Sequence, residues 1–557
     1  MSGGNYAENA IPHYRLISVS RFLLVALNID AILQESTIYR RRERLSEIID
    51  GLGLRDAYGA TIDRIKSQDG DKSRLGMEAL MWISHAERPL RADELCHALA
   101  VKLGSRDFNA ENIPSMSTLM SCCQGLITVD KEASTVRLIH FTLKEYLSTR
   151  LDIFTRPHSS IAELCLTYLN SEPVKTLSSK PHPYVIKTPF LGYCSRYWGV
   201  HAERDLSEHA RLLALELLRD YDCHISARSL LTEVRPMILS SLHTSFQFNG
   251  LHCASFFGIV KVVAALIEMQ IYDINKGDFW GLTPLAWAAW NGHEEAAKIL
   301  LQQAEVNPDK ADHDGNTPLS RAAWGGHEGV VKALLARNKV NPDNPNNCGT
   351  TPLQNAALRG HTEVVKILLG REEVKSNKQN NHGSTPLSIA AEYGHEDVVR
   401  ILLAKKDVNP HMPDNDGDTP LACGAYGGCE GVVKILLEQE HIDPDISNNA
   451  GQTPLSYASW KGHERVVKIL LEQKGVNPDN PNNTGRTPLS YAAGEGHAKV
   501  VEILLGQADV NPNRADNNGR TALMHAAVHG HQKVIELLQP HKALTHRAPS
   551  AIGDTTH

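Results

Sequence analysis

A threonine returns every 34 residues along the second half of this chain, at Thr283, Thr317, Thr351, Thr385, Thr419, Thr453, Thr487 and Thr521. Pro and Leu follow each one, except that Ala522 replaces Pro in the last copy. A Gly-His pair keeps the same period from Gly292-His293 to Gly530-His531, broken only where Cys429 and Ile259 take the histidine position. Carried one step back, the phase lands on Asn249, with Leu251 where the repeat leucine belongs. That makes nine copies, and a fixed period of this size is the mark of a stacked repeat array. One copy, Gly485 to Leu505, shows why. Thr487 is placed to cap a short helix with Pro488 at its first turn. Leu489, Ala492 and Ala493 give that helix a small apolar stripe, and Gly496 ends it. Val500, Val501, Ile503, Leu504 and Leu505 recur at helical spacing in a second helix. Neither helix can bury its face alone, so each copy depends on its neighbours.

These residues resemble the ankyrin family, whose repeat carries a T-P-L-H-x-A core over 33 residues. Here the core reads TPLS, TPLA or TPLQ, and the period is one residue longer. The resemblance implies nine repeats, at about 246–276, 280–310, 314–344, 348–378, 382–412, 416–446, 450–480, 484–514 and 518–541. The extra residue is expected in the connecting stretch typified by VNPDNPNN. Serine in place of the family's histidine is expected to act as a polar partner there. Leu402 and Leu403, in a middle repeat, are expected to be buried by both neighbours.

The chain has 557 residues, enough for several domains, and 42% hydrophobic residues. Its formal net charge of −7 gives no sign of a polyanion-binding protein. Ten scattered cysteines form no framework, and the neighbours Cys122-Cys123 are poorly placed for a structural disulfide. This usage points to reduced thiols in the cytoplasm or nucleus. The N-terminus has no signal-peptide pattern. The apolar run from Phe22 to Leu33 is interrupted by Asn28 and Asp30 and is too short to cross a bilayer. The basic group Arg40, Arg41, Arg42 and Arg44 has the look of a short nuclear signal, but Glu43 and Glu47 are interleaved with it, which reads first as a solvated helix face.

Residues 16–68 read as helices, and residues 72–102 as two more. A third follows Pro114. LITVD and TVRLIHF then alternate like a β-hairpin, and TLKEYLSTR returns to helix. Three helices with a two-stranded wing suggest a winged helix. ERPLRADELCHALAV, SCCQGLITVD and VRLIHFTLKEYL resemble the segment that follows the nucleotide-binding module in fungal NACHT-ankyrin proteins, which are NOD-like receptors of the STAND class. DAYGATIDRIKSQ resembles the end of that module. The resemblance covers about residues 16–155. It implies a remnant of the module over 1–70 and a winged helix over 71–155. A helical adaptor over 156–241 is expected to cover the end of the array. The repeats are placed at 246–541 and a disordered tail at 542–557. A P-loop needs glycine amides and a lysine around phosphate, and no Gly-Lys dipeptide occurs. No nucleotide site is expected, and the chain reads as the C-terminal part of such a receptor.

No catalytic, cofactor or metal motif emerges. The repeated histidines lack a second ligand type in register and read as turn-fixing hydrogen bonds. DNDGD, from Asp414 to Asp418, has its glycine in the wrong place for a calcium loop and Ala425 where the twelfth-position glutamate belongs. It is one copy of a recurring D/N-x-x-G hairpin. The third helix of the winged domain, SMSTLMSCC, has no Lys or Arg for phosphate or base edges. What varies within the frame is the hairpin tip, the residue before Thr and the end of the first helix. In the ankyrin family these positions line the concave binding face. They carry Phe279, Trp280, Trp290, Trp324, Tyr393, Tyr426 and Trp460, and large aromatics of this kind are enriched in binding hot spots. Trp287 occupies a frame position and is expected to pack. Trp290 and Trp324 are expected side by side, forming one patch with Phe279 and Trp280.

The fold class is mainly α: a nine-repeat ankyrin solenoid preceded by a helical, winged-helix region. The expected function is non-enzymatic recognition of a protein partner inside the cell, with no membrane and no nucleic acid. The alternative is a winged-helix transcriptional or pathway regulator, for example an accessory protein of a fungal specialised-metabolite pathway.

Overall fold

A computed structural model describes residues 36–43, 54–105, 108–130, 132–150, 152–177, 188–234 and 247–541. The chain divides into two compact units after Asp273. The helices expected across 16–35 and 44–53, and the tail at 542–557, lie outside the described residues.

The first unit opens with α1 (Leu54–Lys66) and α2 (Asp71–His85). A two-residue strand β1 (Leu90–Arg91) leads into α3 (Ala92–Ala100), followed by α4 (Met116–Cys122). Strands β2 (Ile127–Asp130) and β3 (Thr135–Leu138) pair antiparallel, with Ile127 opposite Leu138 and Asp130 opposite Thr135. The wing has a third strand: β1 pairs with β3, Leu90 opposite Val136, giving the order β1-β3-β2. Two residues are too few to show alternation, so the sequence reading saw only the hairpin. Leu80, Trp82, Leu95, Leu119, Val136 and Leu143 bring the helices and the sheet to one core. Glu94 is buried there because Arg88 grips it with both guanidinium arms, at 2.6 and 2.7 Å. Helix α5 (Phe141–Thr149) follows the wing.

Five helices continue the unit: α6 (Pro157–Leu169), α7 (Glu172–Lys175), α8 (Leu191–Arg204), α9 (Glu208–Leu218) and α10 (Ile225–Val234). Trp82 of α2 stands edge-on to Phe190 and Tyr193, 5.4 and 5.8 Å away. The first repeat, α11 (Gly250–Phe257) and α12 (Val260–Glu268), belongs to this unit and packs on α8 and α9. Trp198 meets Phe257 edge-on at 5.4 Å. Asn249 does the capping work that threonine does elsewhere, accepting the amides of Leu251 and His252 at 3.0 and 3.1 Å.

The second unit holds the remaining eight repeats. Each first helix starts just after its Thr, as in Pro386–Glu392, and each second helix starts just after the Gly-His position, as in Glu396–Leu403. First helices pack on first helices and second on second. The frame residues fill the space between them: Leu387, Ala390, Ala391, Val398, Val399 and Leu402 are buried in one repeat. Leu403 is only half-buried, at the margin of the seam that Val398, Val399 and Leu402 occupy, although Leu301, Leu335 and Leu369 at the same place in earlier repeats are buried. The serine after TPL is the polar partner expected of it. Ser388 Oγ accepts the Thr385 amide at 2.8 Å, while Thr385 Oγ1 accepts the Ser388 amide at 3.1 Å.

The periodic histidines do more than fix a turn. From the third repeat on, Nε2 reaches back to the carbonyl at the end of the first helix of the preceding repeat: His327 to Trp290, His361 to Trp324, His395 to Leu358, at 2.9 to 3.0 Å. His463, His497 and His531 repeat the bond to Tyr426, Trp460 and Gly494 at 3.0 Å. The glycine of the preceding repeat's Gly-His pair makes room. Gly326 has φ +74°, and a Cβ there would sit 2.6 Å from the His361 ring.

The hairpins form a second ladder. Asn381 Nδ2 donates to the Asn347 carbonyl at 3.0 Å, Asn415 to Asn381 at 2.9 Å, and Asn449 to Asn415 at 3.0 Å. Asn483 and Asn517 continue it at 2.9 and 3.0 Å. The first tip position is therefore a structural asparagine through this run rather than a freely varying one.

Candidate interaction surface

The ends of the first helices and the hairpins present the side chains that the frame leaves over. Trp324 is 38% exposed, Tyr393 57% and Tyr426 36%. Trp324 carries the Arg359 guanidinium over its ring at 5.1 Å. Trp287 is buried, as its frame position requires, and donates Nε1 to Asp278 at 3.0 Å. Trp290 is half-buried and lies flat on Trp287, with centroids 5.4 Å apart and planes 12° apart. Arg321 covers Trp290 at 4.6 Å. Phe279 is half-buried, but Trp280 is buried at 8% exposure and stands edge-on to Phe279. The expected single patch is thus divided: Trp280 packs inward and Trp290 pairs within its own helix.

A second aromatic group lies further along. Tyr426 stands edge-on to Tyr457, with centroids 5.6 Å apart at 85°, and to Trp460, 6.3 Å away at 65°. Trp460 is half-buried and donates Nε1 to Glu495 at 3.3 Å. With Glu392, Asp414, Asp418, Ala422 and Cys423 these rings line a cavity of about 270 Å³. Tyr457 donates its hydroxyl to Asp418 Oδ2 at 2.8 Å, and Asn448 Nδ2 donates to Asp418 Oδ1 at 2.9 Å. Burial raises the Asp418 carboxyl above its usual range even against those two bonds. Burial also raises Glu392, helped by the nearby Asp414 charge. The Cys423 thiol goes up strongly, by burial first and then by Asp418, Asp414 and Glu392. The cavity is therefore a desolvated, negative place walled by rings. Tyr457 and the carboxylates belong to three repeats, so the sequence shows Tyr426 and Trp460 as variable aromatics and Asp414 and Asp418 as parts of a hairpin, but not that they meet.

The first unit brings together another set that the sequence did not show. Glu87, His158 and His201 have ligand-capable atoms within 4.8 Å of one another. His158 Nδ1 and His201 Nδ1 share a hydrogen bond of 2.8 Å, and Tyr193 bonds His201 Nε2 at 2.9 Å. Arg204 pairs with Glu87 through both arms. These atoms are spent on one another, which suits a satisfied polar core. Burial pushes His201 down to about 3 and lowers His158 as well.

A family model for ankyrin repeats matches residues 251–346, 334–414, 403–482 and 473–547, more than half of the chain. The chain belongs to the ankyrin-repeat family. Its ankyrin repeats include the Asn249 copy, whose leucine opens the first match. A model for the winged-helix domain of GPI inositol-deacylase matches residues 65–165. That range takes in the three-stranded wing and α2 to α5. Among the described residues no helix is long and apolar enough to cross a membrane.

Proposed function

We propose that this ankyrin protein is a non-enzymatic recognition scaffold that binds a protein partner through the first-helix and hairpin face of its repeats. The observation that carries the reading is the exposure of Trp324 and Tyr426 at one recurring place, the end of the first helix, and of Tyr393 one residue beyond it, in a frame that is otherwise filled. Exposed aromatics grouped on a rigid support are what binding hot spots are made of. Phe279, Trp290 and Trp460 present part of a ring each to the same face, and Trp280 supports Phe279 from below. The proposed setting is the cytoplasm or nucleus. Kinship with NACHT-ankyrin receptors is part of the proposal and rests on the resemblance of residues 16–155. A DNA-binding role has nothing to favour it, since α4 carries no Lys or Arg.

Photocrosslinking tests the reading. Benzoylphenylalanine at Tyr393 should give discrete protein adducts in cells. The same residue at Lys468, exposed on a second helix, should not. Trp324→Ala should weaken capture of the crosslinked partner by about 2 kcal/mol, the hot-spot scale, with little loss of folding stability. Adducts from both positions alike, or from neither, would defeat the proposal.

A further inference from the structure

One joint of the array departs from its own frame. The alanine at Ala288, Ala322, Ala356, Ala390, Ala458, Ala492 and Ala526 is Gly424 in the repeat between. The stapling histidine of that repeat is Cys429, whose Sγ stands 3.6 Å from the Glu392 carbonyl. In several other hairpins the Asp or Asn that opens the turn is held by the residue nine positions on, though at Asn380 that residue is the apolar Ile389. Trp287 holds Asp278, His525 holds Asp516, and Tyr457 and Tyr491 engage Asn448 and Asn482, at 2.8 to 3.0 Å. At Asp414 that residue is Cys423, a small side chain that leaves space instead. Local departures from a repeat frame gather at functional sites; here Cys423 lines a cavity of about 270 Å³, and the Cys429 thiol bonds the backbone carbonyl of Glu392, another of its lining residues.

The cavity's chemistry selects a cation. Glu392, Asp414 and Asp418 line it half-buried, and among the described residues none is ion-paired with a Lys or Arg. A single metal ion does not suit them. Among the described residues the only trio with ligand atoms within 4.8 Å is Glu87, His158 and His201. The carboxylates are spread as they would be around a larger, organic cation. Tyr426 meets Tyr457 and Trp460 at steep angles, so ring faces as well as edges border the space, and ring faces attract ammonium and guanidinium groups. Two of these rings already do so: the exposed Lys461 holds Nζ 4.5 Å from the Tyr426 centroid and 4.6 Å from that of Trp460. The volume admits one long side chain, below the size of a typical small-molecule site.

We propose that this cavity receives a lysine or arginine side chain from a basic segment of the protein partner. The cation sits between the carboxylates of Glu392, Asp414 and Asp418 and the rings of Tyr426, Tyr457 and Trp460. The inference rests on the array being a protein-recognition surface and names the charge of what it recognises. An arriving cation offsets the cost of holding carboxylates out of water, which makes the contact selective for basic over neutral side chains.

The test is a random dodecapeptide library displayed on phage and panned against the full chain. Selected peptides should share a Lys or Arg anchor. Replacing that anchor by citrulline or norleucine should weaken binding about tenfold or more, roughly 1.4 kcal/mol. Glu392→Gln and Asp414→Asn should each weaken the parent peptide similarly and leave the citrulline or norleucine peptide unaffected. Both variants keep shape, and Asn already opens the hairpins at Asn346, Asn380, Asn448 and Asn482. Peptides without a basic anchor, no saturable peptide binding, or basic peptides indifferent to both variants would each overturn the proposal. Binding lost in Trp324→Ala but kept in both carboxylate variants would remove the cavity and leave the recognition surface standing. Failure of the Tyr393 crosslink would remove the surface itself.

Discussion

At the scale of single residues, the array is held by a bond that sequence shows only by half. The histidine period is plain, but the acceptor is a backbone carbonyl that Trp290, Leu358, Tyr426 or Gly494 supplies equally well. No side-chain pattern marks it, so the histidines read as local turn residues. Their real role is to tie each repeat to the one before. The repeat that lacks one then becomes informative. Cys429 Sγ is a weak donor, 3.6 Å from the Glu392 carbonyl. Gly394 is already in place beside it, as Gly326 is beside His361. Cys429→His should therefore restore the missing bond and stabilise the protein by about 0.5–1.5 kcal/mol, the net worth of one hydrogen bond. Urea denaturation would show it as a higher midpoint at unchanged slope. A lower midpoint would mean that the joint cannot close on an imidazole.

At the scale of elements, each repeat helix has only seven to nine residues. Helices that short are not stable alone in water, so packing decides them. Leu402 is fully buried between neighbouring repeats, while Leu403 in the same helix is half-buried. Leu402→Ala should cost about 2–5 kcal/mol and Leu403→Ala distinctly less. Thermal melts of the two variants should separate accordingly, and equal losses would put the helix rotation in error. Because repeats contact only their neighbours, hydrogen exchange should rise first around Glu396–Leu403 in the Leu402 variant. The elements themselves were legible for a physical reason. Thr-Pro starts, glycine stops and a 3.6-residue stripe are all local signals. Contacts between elements were not. Trp280 sits at a hairpin tip, where exposure is the usual expectation, yet it is buried at 8%. Strand β1 forms only because β3 is there to pair with it.

At the scale of the whole molecule, the two units have opposite kinds of titrating interior. The first buries His201 beside Tyr193 of the same helix and beside His158, which comes from a separate helix 43 residues earlier that no spacing rule connects. The second buries carboxylates around its cavity, contributed by Glu392, Asp414 and Asp418. His201 titrates at about 3 in the folded chain against 6.5 unfolded, because burial disfavours the imidazolium and His158 and Arg204 add repulsion. Between those values the unfolded chain binds the proton and the folded chain does not. The contribution of His201 to stability is therefore complete above pH 6.5 and is lost as pH drops towards 3. His224, buried and lowered to about 4, acts in the same direction. Glu392 and Asp418 are raised in the folded state, so they bind protons more readily folded than unfolded. Their part of the second unit gains on acidification through the carboxylate range. Hydrogen exchange corrected for intrinsic rates tests the contrast. From about pH 7.5 to 5.5, a window set by the histidine range, protection in α8 should fall while that in Glu464–Leu471 holds. His201→Gln should make the pH dependence of α8 shallower, leaving only the part that His158 and His224 contribute, even if it lowers protection throughout. A steep dependence surviving in that variant would place the titrating group elsewhere.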